Sequence, residues 1–379
     1  VKNKHLFVTI MVLGLLLSTV GTLAAQSSDF DVVQTAAADY LGTVSKPVIS
    51  ADALWENLND GDTENDPFIL SVRAPEDYEK GHIPGAINIS WKQIADPDNL
   101  DLLPTDQQIV VYCYTGHTGQ LATTLLNLMG YDAINLKFGM MGWTENDEVF
   151  AKTRFGPDTA QRDYRIETEV NEATETYDYP DLDTGGADDA EIVRLAADNW
   201  VTEKTPLIQA DALWENLSDG DTENDPIIVS VRSAEDYEKG HIPGAINIPW
   251  KAIADPENLA MLPPDQPIVV YCYTGHTGQV ATTILVTLGY DASNLVYGMM
   301  GWTEDDEVLA TDRFSPSLQR DYTVEGTAAD AGSDSGEDSG TTPPVLPETG
   351  AAPIWVLVLP VAGAGMTLAG LALRRRRGK

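Results

Sequence analysis

Apolar positions along the chain fall into two rhythms. Residues 68–72 and 109–112 are short apolar runs rich in β-branched side chains, the signature of strands. Residues 121–129 carry apolar side chains at helical spacing, and residues 51–58 read as a short helix ended by Asn59, Asp60 and Gly61. Strands alternating with helices predict an α/β domain, a mostly parallel sheet covered on both faces.

The whole pattern then repeats at an offset of 159 residues. Residues 51–92 align without gaps on residues 210–251, with six of 42 positions different, and residues 109–133 align on residues 268–292 as closely. A period this long means two whole domains and excludes a solenoid of short units. The domains are expected over residues 34–166 and 191–324. Between them, residues 167–190 are acidic, contain Gly185 and Gly186 and lack apolar periodicity, which reads as a linker. Residues 325–345, rich in Ala, Gly, Ser, Asp and Pro, read as a flexible stalk.

Both ends carry further apolar segments. Residues 1–25 read as a secretory signal, with Lys2 and Lys4 before an apolar run of about 12 residues and small residues at 22–25. That run is short of the roughly 20 residues a membrane span needs. Leu346, Pro347, Glu348, Thr349 and Gly350 precede an apolar stretch at 354–373, long enough for a transmembrane segment, and a basic tail at 374–379 placed on the cytoplasmic side. This arrangement resembles a sortase sorting signal. The resemblance implies cleavage between Thr349 and Gly350, sortase as a partner, and a secreted protein anchored at the cell surface, in the cell wall or on the outer face of the cytoplasmic membrane. A plain C-terminal membrane anchor is the alternative.

Charge narrows the partners. The formal net charge is −36, and seven of the 23 basic residues (Lys2, Lys4, Arg374, Arg375, Arg376, Arg377, Lys379) lie in the segments expected to be removed, 1–25 and those after Thr349, where no acidic residue does. So acidic a chain is not expected to bind nucleic acid or an anionic membrane.

The two cysteines, Cys113 and Cys272, occupy the same position in the two repeats. In a secreted chain a disulfide is the first reading. Context favours another: each Cys ends an apolar strand and opens a Gly-rich turn into a helix, and two equivalent positions on separate domains would have to meet to be bridged. A strand–loop–helix turn aims several backbone N–H groups and a helix N-terminus at one point, where a thiolate is stabilised and nucleophilic. Gly116 and Gly119 let that backbone curl tightly. The plainer reading is a cysteine that serves as a small buried hydrophobe.

Residues 69–73, 76–78 and 81–89, then the loop at 113–119, then Gly139 to Trp143 together resemble the rhodanese family, and the same blocks recur at 229–248, 272–278 and Gly298 to Trp302. The resemblance implies two small α/β domains, each a parallel five-stranded sheet flanked by helices. It implies sulfur transfer: Cys113 or Cys272 as catalytic thiolate takes the outer sulfur of thiosulfate, a polysulfide or a related donor as a persulfide, and a thiol, cyanide or sulfite collects it. The active-site loops would be Tyr114, Thr115, Gly116, His117, Thr118 and Gly119, and Tyr273, Thr274, Gly275, His276, Thr277 and Gly278, their amides stabilising the persulfide with no metal or cofactor. Related phosphatases need an Arg six positions after the Cys to grip phosphate; Gly119 and Gly278 stand there. A non-catalytic binding or sulfide-sensing module on the same fold is the alternative.

The remaining candidates have plainer expectations. His117 and His276 either orient an anionic donor or shuttle a proton, or are exposed loop residues without chemical duty. His82 and His241 are expected to hold a turn. Arg73 and Arg232 follow a buried strand and are expected to brace the site by pairing with an acid such as Glu76 or Glu235. No second ligand stands at zinc-like spacing, so no metal site is expected. Ser71 and Ser230 stand where many rhodanese domains have Asp, and the loop lacks the Arg or Lys often found there, so a weaker grip on thiosulfate is expected.

Overall fold

Strand-forming runs give two five-stranded parallel sheets in a computed structural model that describes residues 28–326, Lys204 and the side chains of Thr202 and Glu203 excepted. The first contains β1 (Val48–Ile49), β2 (Phe68–Ser71), β3 (Ile87–Asn88), β4 (Ile109–Tyr112) and β5 (Ala133–Leu136) in the order β1-β5-β4-β2-β3. The second repeats this as β6 (Leu207–Ile208), β7 (Ile227–Ser230), β8 (Ile246–Asn247), β9 (Ile268–Tyr271) and β10 (Ala292–Leu295), in the order β6-β10-β9-β7-β8. Register is the same in both: Ser71 stands opposite Tyr112, and Ser230 opposite Tyr271. β4 and β9 are central and buried throughout, which is why they read as unbroken apolar runs.

Helices of the first repeat are α1 (Asp29–Thr43), α2 (Ala51–Leu58), α3 (Pro75–Tyr78), α4 (Pro97–Leu100), α5 (His117–Leu128), α6 (Gly139–Trp143) and α7 (Asp147–Phe150). The second has α8 (Asp189–Glu203), α9 (Ala210–Ser218), α10 (Ala234–Lys239), α11 (Pro256–Leu259), α12 (His276–Thr287), α13 (Gly298–Trp302) and α14 (Asp306–Leu309). Alternation along each strand splits the core into two layers. Leu70, Val72, Ile109 and Val111 face α1 and α5, while Ile69, Val110 and Tyr112 face α2 and α6. Each layer runs on into the other repeat: α1 packs on α8, and α5 on α12.

The chain also exchanges segments between repeats. Residues after α7 cross to the second repeat, where Arg162 and Tyr164 hold Asp211 and the Trp302 indole N–H donates to the Arg165 carbonyl at 3.0 Å. Residues after α14 return the contact. Arg320 and Tyr322 hold Asp52, Tyr322 stacks on Trp55 at 4.5 Å, and Trp143 donates to the Thr323 carbonyl at 3.0 Å. The ion pairs are half-exposed and contribute little by themselves; the aromatic contacts around the buried Trp143 and Trp302 carry the exchange.

The expectation of a transmembrane segment is corrected here. No helix among the described residues is long and apolar enough to cross a membrane. The longest, α1 and α8, have 15 residues and span about 22 Å at 1.5 Å per residue, against about 30 Å of bilayer hydrocarbon. The secreted, surface-anchored localisation, expected from that anchor together with the signal segment and the sorting motif, is withdrawn with it. The signal segment at 1–25, Thr349 and Gly350 of the sorting motif and the apolar stretch at 354–373 lie outside the described residues.

Candidate active site

Each cysteine stands where a central strand passes into a helix, at the carboxyl edge of the sheet where open α/β folds bind ligands. Cys113 follows β4, and α5 begins four residues later with Gly116 as its cap; Cys272 and Gly275 repeat this before α12. Both cysteines are free and 1% exposed. The Gly116 N–H donates to Cys113 Sγ at 3.1 Å, and the Gly275 N–H to Cys272 Sγ at 3.1 Å. A negative sulfur at this point faces amide donors and the positive end of a 12-residue helix.

The loop is clamped from several directions. The Met140 and Met141 N–H groups at the start of α6 donate to the Cys113 and Tyr114 carbonyls at 3.0 and 2.8 Å. Asn135 of β5 donates to the Gly116 carbonyl at 3.0 Å, as Asn294 does to Gly275. Gly116 has φ +89°, and a Cβ there would lie 2.5 Å from His276 Nε2. At Gly119 a Cβ would collide with the Asn135 side-chain oxygen and lie 3.2 Å from the Cys113 nitrogen, so the phosphatase arginine has no room at this position.

His117 and His276 are not exposed. They are 2% and 3% accessible and stack across the two repeats, ring centroids 5.8 Å apart. His117 Nε2 accepts the Tyr297 N–H at 3.0 Å, and His276 Nε2 accepts the Phe138 N–H at 3.3 Å. Each proton therefore sits on Nδ1, which donates to Thr115 Oγ1 at 2.9 Å or Thr274 Oγ1 at 3.0 Å. Burial lowers the His117 pKa to about 4 and pulls that of His276 well down, with the charges of His117 and Lys137 adding in the same direction. Both rings are neutral at pH 7 and fully engaged, which fits a scaffold better than a proton shuttle.

The arginines are buried under the site but do not pair with acids. Arg73 donates to the Val149 and Gly81 carbonyls at 2.9 and 2.5 Å, and Arg232 to the Val308 and Gly240 carbonyls at 2.8 and 2.5 Å. Glu76 and Glu235 stay exposed. The acid that matters locally is the next one along: Asp77 accepts the Tyr114 hydroxyl at 2.7 Å, and Asp236 that of Tyr273 at 2.6 Å. His82 and His241 bond the Tyr78 and Tyr237 carbonyls at 3.0 and 2.9 Å, holding the turn.

A cavity of about 720 Å³ opens at Cys113, lined by Tyr114, Thr115, His117 and Thr118 of the loop, by Lys152, Arg154 and Asp158, and by Gln209, Val296 and Tyr297 of the second repeat. Sequence reasoning missed Lys152, Tyr297 and Asn135. Lys152 supplies at the rim the positive charge the loop lacks, its ammonium 4.4 Å from the Tyr114 ring centre. The available signals were an Asn inside an otherwise apolar strand and the few positions at which the repeats differ.

A profile described as Rhodanese-like domain matches residues 50–146 and 209–305, just over half of the chain. The chain belongs to this family. The match supports a sulfurtransferase-type activity in general. Among its relatives are a sulfurtransferase of Allochromatium vinosum, 29% identical over 99 residues that make up 26% of this chain and 88% of that protein, and the adenylyltransferase and sulfurtransferase UBA4 of Meyerozyma guilliermondii, 33% identical over 86 residues, 21% of this chain and 20% of that one. The chain spans about half or less of the length of several of the curated relatives it matches. A rhodanese-like domain protein of known structure from Staphylococcus aureus is 28% identical, covers 26% of this chain and 92% of its own, and has a TM-score of 0.24.

Proposed function

We propose that this rhodanese-family chain moves sulfane sulfur from a donor such as thiosulfate or a polysulfide to a thiophilic acceptor, through persulfides on Cys113 and Cys272. One observation carries the reading: each free thiol sits at the head of a helix with a backbone N–H already on its sulfur, at 3.1 Å. The Cys113 thiolate attacks the outer sulfur of thiosulfate, an S–S bond forms to the enzyme, and the donor's S–S bond breaks with its electron pair leaving on sulfite. Charge balances, because a thiolate and a dianion become an anionic persulfide and a dianion. Cyanide then takes the outer sulfur as thiocyanate and returns the thiolate; a thiol acceptor becomes a persulfide by the same displacement. Loop amides stabilise the terminal sulfur in place and pay no reorganisation at the moment of transfer.

Transfer from thiosulfate and polysulfide to cyanide tests this on the parent chain and on Cys113→Ser, Cys272→Ser and the double variant. Loss of turnover in the double variant, with intact-mass addition of sulfur on each remaining cysteine, is the expected result. A double variant as active as the parent refutes the mechanism.

A further inference from the structure

The repeats are alike enough that their differences at the two thiols stand out. Phe138 and Tyr297 are equivalent positions, each in the left-handed region at φ +64° and +63°, and each projects from its own repeat against the loop of the other. The Tyr297 ring meets His117 edge-on at 5.0 Å and Phe155 at 4.8 Å, and lines the Cys113 cavity. The Phe138 ring meets His276 at 5.3 Å and Phe314 at 4.9 Å in the same way. The ring contacts match; of the two equivalent residues only Tyr297 carries a hydroxyl, which meets the Thr115 side chain of the Cys113 loop.

Charge also differs between the repeats, since Lys152 and Asp158 correspond to Thr311 and Ser317 at the 159-residue offset and Lys137 to Val296. At Cys113 the rim holds Lys152 and Asp158 together. Near His276 stands Lys137, its ammonium 5.1 Å from the Phe138 ring centre. At the position that crosses between the repeats, the difference is a neutral hydrogen-bond donor, Tyr297 against Phe138.

We infer that Tyr297, contributed by the second repeat, is a catalytic residue of the Cys113 site, its hydroxyl donating to the sulfur that gains negative charge as the persulfide forms. The inference rests on the persulfide reading above and makes the two sites unequal, with Cys113 the faster with thiosulfate. No proton is transferred: the O–H shares its hydrogen with the terminal sulfur of the persulfide and is released when the acceptor removes that sulfur. Burial raises the Tyr297 pKa and an ionised Cys113 raises it further, which the Thr115 side chain offsets only in part, so the phenol keeps its proton throughout the working range.

The test uses the full chain with one working site at a time, Cys272→Ala or Cys113→Ala, assayed with thiosulfate and cyanide. With only Cys113 working, Tyr297→Phe is expected to lower kcat/KM about tenfold or more. That variant keeps the ring and the backbone N–H that holds His117, so a packing role would leave the rate alone. With only Cys272 working, Phe138→Tyr is expected to raise kcat/KM by a comparable factor. An unchanged rate in Tyr297→Phe, or equal single-site rates with no gain from Phe138→Tyr, overturns the inference and leaves sulfur transfer standing. Absence of turnover at both cysteines, with thiosulfate and with polysulfide, overturns both.

Discussion

The buried histidine pair makes stability fall with mild acid. His117 has a folded pKa of about 4 against an ordinary 6.5, set by burial. The unfolded chain therefore binds a proton that the folded chain refuses, and stability falls as pH drops from about 6.5 towards 4, levelling below. At pH 5.0 the loss from His117 comes to about 2 kcal/mol, approaching about 3 at pH 4. His276 adds in the same direction. The carboxylates held low act in a different window: Asp211 and Asp236 sit at about 2 and lose their contribution only as pH falls below about 3.8. Urea unfolding at constant ionic strength, at pH 7.5 and 5.0, measures the effect, with His117→Gln as the comparison because its amide oxygen can still accept the Tyr297 N–H. The parent should lose about 2 kcal/mol or more across this step, and the variant about 2 kcal/mol less than the parent. A parent equally stable at both values, or imidazole signals that titrate near 6.5, would refute the burial argument.

Gly116→Ala should destabilise by more than about 1 kcal/mol and suppress transfer at Cys113, because the new Cβ meets His276 Nε2 in a left-handed backbone; a variant with parental melting temperature and rate refutes this. Arg232→Met leaves the Val308 and Gly240 carbonyls without their donor, a loss of about 2 kcal/mol or more by chemical denaturation; unchanged stability would mean that water replaces the guanidinium. Tyr322→Ala removes the stack on Trp55 and the bond to Asp52, so about 2 kcal/mol should be lost, with altered indole fluorescence; an unaltered spectrum would place the returning segment elsewhere.

The local pattern already contained much of the domain. β-Branched runs, turn glycines and the 159-residue offset determine two copies of one α/β unit, and in each the Cys stands, as expected, between a central strand and the helix after a Gly-rich turn. The helix expected at 51–58 is α2, Ala51–Leu58, because Ser50 caps it and the turn after Leu58 stops it. Such features depend on neighbours in the chain, so they are legible along it. Arg73 pairs with carbonyls that lie 8 and 76 residues away, beyond the reach of a reading that looked to Glu76. His117 is buried and stacks on His276 of the other repeat. The apolar stretch at 354–373 lies outside the described residues, among which no helix is long and apolar enough to cross a membrane. Sequence by itself determined what each repeat is and where in it each cysteine stands. Only the tertiary structure decided that each cysteine loop is covered by the opposite repeat, Tyr297 against His117 and Phe138 against His276, because this depends on contacts between residues 180 and 138 positions apart.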